Sequence, residues 1–114
     1  MIRATNSDIS ILEISASGRR ADSVSRMLSQ DMIAALENRH GPVGLTRRDL
    51  ADGIDLVDEA WINANFTAEE ERTAAQRDRL AESDALVAEL KGADVVIIGA
   101  PTYNFGVPAS LKAW

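Results

Sequence analysis

Apolar and polar positions along the chain alternate between two periods. Asp8–Ser15, DISILEIS, has the alternation of a strand, with Ile9, Ile11 and Ile14 as its apolar members. After the polar turn ASGRRAD, residues 23–41 place Val24, Met27, Leu28, Met32, Ala35 and Leu36 at helical spacing. Gly41-Pro42 is a stop signal for that helix. Val43–Leu50 reads as a second, shorter strand. Asp52–Phe66 has no clear period and is expected to be a long surface excursion. Thr67 and Glu70 have the spacing of a capping box, opening a helix that runs to about Leu90. Its stripe is Leu80, Leu86, Val87 and Leu90, and Gly92 ends it. Val95–Gly99 is a short apolar run of the kind covered on both faces in a parallel sheet, and a further helix begins near Pro108.

Strands alternating with long helices predict an α/β fold with an open, doubly wound parallel sheet. Ligands of such sheets bind beyond the carboxyl ends of the strands, where the strand order reverses. Both unusual loops, Ser15–Ser25 and Pro101–Phe105, follow strands and fall on that edge. The first is rich in small donors: Ser15, Ser17, Gly18, Ser23 and Ser25. Ser23 is placed to cap the helix, whose free N–H groups and macrodipole attract an anion. Serines at such a position also serve as plain caps, and Arg19 and Arg20, as exposed loop arginines, fit solvation better than phosphate binding and are left out of the phosphate set. The second loop has the opposite character. Pro101 stiffens it, Tyr103 and Phe105 offer flat apolar faces, and Asn104 with the backbone N–H groups offers hydrogen bonds. Packing of the two rings beneath neighbouring helices is the alternative, but two of the chain's five aromatic residues sit here. A phosphate loop and a ring loop together describe FMN.

Other phosphate chemistries are excluded by pattern. There is no G-x-x-x-x-G-K-[ST] and no G-x-G-x-x-G after the first strand. A phospho-acceptor receiver domain needs an aspartate ending its central strand, and this strand ends Gly99-Ala100-Pro101.

Bulk properties narrow the setting. At 114 residues the chain makes one domain or less. No apolar run reaches the ~18 residues of a membrane span, and Met1–Ser10 lacks the order of a signal peptide, so a cytoplasmic location with no membrane partner is expected. A net charge of −6 argues against nucleic acid as a partner. The chain has no cysteine, which removes disulfides, thiolate metal sites and cysteine nucleophiles. His40, the sole histidine, stands at a helix end and fits a charge–dipole role rather than a metal or catalytic one. Trp61 is expected to pack, not to line a substrate mouth.

SGRRADSVS together with APTYNFGVPASLKAW resembles the FMN-dependent NADH:quinone oxidoreductases and azoreductases, a flavodoxin-like family. RRDLA and SDALVAELKGADVVIIGAP look like the same family's second strand and its helix-to-strand run, so the likeness covers nearly the whole chain. It implies a flavodoxin-like doubly wound sheet, incomplete, with the first three strands of an expected five. Residues 1–114 then form the amino-terminal part of one FMN-binding domain, cut within the helix after the ring loop. Carried over, the phosphate-loop serine falls on Ser17 and the Ser-x-Ser on Ser23, Val24 and Ser25; the ring segment falls on Thr102, Tyr103, Asn104 and Phe105. Thr102 replaces a common methionine and Val24 an often polar residue, each trimming one contact. The resemblance further implies NADH or NADPH as donor, a quinone or azo compound as acceptor, two-step hydride transfer through FMN with no catalytic side chain, and a homodimer. Two other readings share the pattern: an FMN electron carrier without a nicotinamide step, and a cofactor-free remnant acting as an interaction module.

Overall fold

The computed structural model describes residues 9–114, so Asp8, the first residue of the expected opening strand, lies outside the described residues. Three strands, β1 (Ile9–Ser15), β2 (Val43–Asp49) and β3 (Val95–Gly99), form one sheet in the order β2-β1-β3. Both pairings are parallel, with Ile9 opposite Val43 and Ile11 opposite Val95. The chain enters in the middle, steps to one side and returns to the other, so the switch point lies between β1 and β3.

Being central, β1 is covered on both faces. Leu12, Ile14 and Ala16 face one way and pack with Leu50 at the end of β2, against Ala93, Leu111 and Trp114. Ile11 faces the other way, with Ile33 and Ile97. Ile11, Leu12 and Ile14 are the most deeply buried large side chains.

Helix α1 (Val24–His40) starts at Ser23, whose side chain accepts from the Arg26 N–H, and ends at Gly41, whose φ of 85° and N–H bond to the Glu37 carbonyl form the expected stop. Its apolar stripe does not face the sheet as the periodicity suggests. Val24, Met27, Leu28 and Met32 are exposed, and the buried residues are Ser29 and Ile33. The reason lies at Gly99. A Cβ there would stand 2.8 Å from the Ser29 hydroxyl and 3.2 Å from the Ser25 carbonyl, so α1 and β3 meet almost backbone to backbone. Only small residues fit on the helix side of that contact, and Ser29 satisfies its hydroxyl by donating to the Ser25 carbonyl at 3.0 Å.

The segment read as a featureless excursion is partly helical. A 3₁₀ turn spans Leu50–Asp52, and α2 spans Glu59–Phe66 with Asp58 as its N-cap. Thr67 is the C-cap that terminates α2 and opens no helix; the capping box belongs to Thr73 and Gln76, six residues on, and opens α3 (Ala74–Gly92). The bonds are reciprocal, Gln76 N–H to Thr73 Oγ1 at 3.1 Å and Thr73 N–H to Gln76 Oε1 at 3.0 Å. Glu70 sits instead in a short 3₁₀ turn, Glu69–Glu71. Trp61 packs as expected: its indole N–H donates to Ser83 Oγ at 2.9 Å, joining α2 to α3. A fork from Arg48 to Glu89 fastens α3 across the sheet to β2. Of the α3 stripe, Leu80 is buried, while Val87 and Leu90 are exposed. A last helix, α4 (Ala109–Ala113), begins after Pro108, where the sequence places it.

Among the described residues no helix is long and apolar enough to cross a membrane. Strand β3 pairs with β1 alone among them, and the side chains of Val96 and Ile98 stand partly exposed.

Candidate cofactor site

The ladder between β1 and β3 runs one step past the strands, from the Ala16 N–H to the Gly99 carbonyl at 2.9 Å, and so brings both loops off the same sheet edge. On the β1 side, three serine hydroxyls converge over the start of α1. Ser23 Oγ donates to Ser17 Oγ at 3.0 Å and lies 3.2 Å from Ser25 Oγ, and Ser17 itself is buried. Asp22, at φ 56°, turns the chain so that Ser23 can cap the helix. Hydroxyls and the unpaired N–H groups of a 17-residue helix thus point to one spot, the donor set an anion takes. Val24 follows as the exposed first residue of the helix.

On the β3 side the chain makes a two-residue hairpin. Tyr103 and Gly106 exchange both backbone bonds, at 3.0 and 2.9 Å, and the residues between them, Asn104 and Phe105, have φ of 49° and 61°. Positive φ at both central positions is the type I′ pattern, which favours Asn-Gly. Asn104 fits, whereas Phe105 is held in a left-handed conformation disfavoured for a large side chain. Its ring is fully exposed, and Thr102, Tyr103 and Asn104 are also exposed. The rings therefore do not pack beneath neighbouring helices.

The two loops touch. The Gly18 N–H donates to Tyr103 Oη at 3.1 Å, across 85 residues of sequence. That bond and another with the Ser17 hydroxyl lower the Tyr103 pKa from its ordinary value. All eight residues expected from the sequence thus lie on one edge, in two adjoining groups.

Two residues of the site escaped the sequence reading. Arg26, in the first turn of α1, donates from Nη1 and Nη2 to the two carboxylate oxygens of Asp49 at 2.7 and 2.8 Å. The same guanidinium donates from Nε to the Arg19 carbonyl at 2.7 Å and from Nη2 to the Ser17 carbonyl at 2.8 Å. Asp49 also accepts the Ala51 N–H at 3.0 Å. The Arg26 guanidinium, ahead of that N–H, holds the Asp49 carboxyl below its usual pKa despite burial, and Asp49 in turn raises that of Arg26. One signal was available in the sequence: a cation in the first turn of a helix opposes the macrodipole and needs a reason to be there. Arg20 is likewise engaged, with Asp52 at 2.8 Å and Asp49 at 3.4 Å. Its charge is matched within the protein, which agrees with leaving it out of the phosphate set.

A cleft of about 580 Å³ opens between α1 and β2, with Arg26 in its wall. Ser23 and Val24 reach it, but Tyr103 and Phe105 do not, and its walls carry the paired Glu13 and Arg47. Volume and ligand chemistry therefore point to different places; the convergent donors beside an exposed aromatic decide for the loop pair. Among the described residues no group of three or more His, Cys, Asp or Glu is arranged to hold a metal.

A three-stranded parallel sheet in the order 2-1-3, with an anion-type helix start beside an aromatic hairpin at the switch point, defines the first half of a flavodoxin-type nucleotide-binding fold. A sequence model described as flavodoxin-like fold matches residues 10–114, and the chain belongs to that family. It is 52% identical over 104 residues to FMN-dependent NADH:quinone oxidoreductase 1 of Jannaschia sp., and 50% identical over 104 residues to the FMN-dependent NADH:quinone oxidoreductase of Thiobacillus denitrificans. Each alignment takes in 91% of this chain and 52% or 50% of the relative, respectively. The chain thus spans about half the length of the curated relatives it matches. Among solved structures, an azoreductase from Bacillus anthracis superposes with a TM-score of 0.79 at 26% identity, over 92% of this chain and 52% of that one. Azoreductase AzrA superposes with a TM-score of 0.77 at 26% identity, over 91% and 52%.

Proposed function

We propose that this chain forms the FMN-gripping part of an NAD(P)H-consuming quinone or azo reductase. The observation that carries the reading is the Gly18–Tyr103 hydrogen bond, which joins an anion-type helix start to an exposed aromatic hairpin. Relatives named for FMN and for NADH:quinone chemistry, alike over nearly all of this chain, support it. FMN, when bound, supplies hydride transfer from NADH or NADPH to a quinone or azo acceptor. The chain's own part is to hold and orient. Ser17, Ser23 and Ser25 take the phosphate with the first N–H groups of α1, Val24 giving its backbone alone. The hairpin bonds use the N–H groups of Tyr103 and Gly106, which leaves those of Asn104 and Phe105 for the polar edge of the flavin ring. Phe105 and Tyr103 supply apolar surface beside it, and Thr102 flanks the ring loop. The protein acts in the cytoplasm as a homodimer, with no nucleic acid and no membrane partner.

Titration of the full chain with FMN, followed by flavin fluorescence, should give saturable quenching at micromolar FMN; its absence would leave the cofactor-free module as the reading. Steady-state NADH oxidation with a quinone acceptor then separates a reductase from an electron carrier, which turns over no nicotinamide. A single substitution divides the hairpin's backbone role from its aromatic one. Phe105→Gly relieves the left-handed strain, so urea stability should hold or rise by up to about 1 kcal/mol. FMN affinity should meanwhile fall roughly five-fold through lost aromatic contact. Stability and affinity falling together would mean that the ring packs structurally.

A further inference from the structure

Arg26 uses both edges of its guanidinium, and the edge that faces the serine loop grips carbonyls only. Its Nη2 takes the Ser17 carbonyl and its Nε the Arg19 carbonyl, while Asp49 holds the remaining fork bidentately. A trans peptide unit is planar, so its C=O and N–H point in opposite directions. The described residues contain no cis peptide bond. Turning the Ser17 carbonyl toward Arg26 therefore turns the Gly18 N–H away from it, and that N–H is the one that reaches Tyr103 Oη. The Arg19 carbonyl fixes the Arg20 N–H in the same sense. Asp49 balances the charge of Arg26.

We infer that Arg26, anchored by Asp49, is a positioning residue that holds the Ser17 and Arg19 carbonyls and so keeps them off the phosphate of the bound flavin, leaving the hydroxyls and the first N–H groups of α1 to face it. Without the guanidinium, the Ser17 carbonyl loses its donor and the Arg19 carbonyl keeps only the Ser17 hydroxyl at 3.2 Å, so each is held less firmly, and a carbonyl turned toward the phosphate replaces attraction by repulsion. This rests on the FMN reading above and adds what fixes its phosphate specificity. The anchor comes from β2, so the loop after β1 takes its orientation from the neighbouring strand.

Riboflavin, which has the ring but no phosphate, separates this role from general stability. In the full chain, Arg26→Met should weaken FMN binding about ten-fold or more, the loss expected when charge-assisted hydrogen bonds are removed. Riboflavin affinity should stay the same, so the preference for FMN over riboflavin collapses. Asp49→Asn, which keeps Arg26 but loosens its anchor, should reduce the preference in the same direction by less, and it provides the test if Arg26→Met does not fold. Equal losses for both flavins would mean that Arg26 merely supports the fold, and an unchanged preference in either folded variant would overturn the inference. A native chain that binds both flavins alike would instead remove the phosphate reading, and this inference with it.

Discussion

Leu12→Ala should cost about 2–5 kcal/mol of unfolding free energy, read from the urea midpoint by circular dichroism. Leu12 sits in the central strand at 1% exposure, packed with Ile14, Ala16 and Leu50 beneath Leu111 and Trp114. Domains hold only about 5–15 kcal/mol in all, so the substitution should remove a large share of the stability. Leu28→Ala is the control. Leu28 carries the same side chain on the helical stripe of α1 but is 59% exposed, and its loss should stay within about 0.5 kcal/mol. Comparable losses at the two positions would mean that α1 is rotated from the orientation described.

The second large effect is expected at Gly99. An alanine Cβ would meet Ser29 Oγ at 2.8 Å and the Ser25 carbonyl at 3.2 Å, and the latter is backbone that yields only if the helix moves. Gly99→Ala should therefore destabilise by roughly 1–3 kcal/mol and Gly99→Val by more. In a Ser29→Ala background the penalty should shrink without vanishing, because one of the two obstructions remains; a double-mutant cycle reads the difference. Full additivity would show that α1 and β3 do not meet at this point. Ser25 belongs to the serine cluster, so displacing α1 should also lower FMN affinity.

The succession of strands and helices, the parallel sheet and the placement of both loops were legible because they rest on coarse signals: apolar runs, glycine stops and the periods of strand and helix. The eight candidate residues came from two chemically unlike loops that both follow strands, together with the family resemblance, and the structure brings those loops to one edge. The buried face of α1 was not. Periodicity weighs residues by hydrophobicity and so selected Met27, Leu28 and Met32, whereas the contact at Gly99 selects by size and admits Ser25 and Ser29. The capping box was misplaced because Thr67-x-x-Glu70 and Thr73-x-x-Gln76 carry the same signal six residues apart, and the short helix α2 that decides between them has little period of its own. Arg26 and Asp49 lie 23 residues apart, and local pattern has no means of pairing them.

The contact between Gly18 and Tyr103 also turns the edge of the sheet into a gauge. Loops free of one another could shuffle apart or together to suit tethers of many lengths between a ring and its anion. A phenol bonded to the opposite turn sets that span before anything arrives, so a molecule with a different length between ring and anion should lose one of its two handholds.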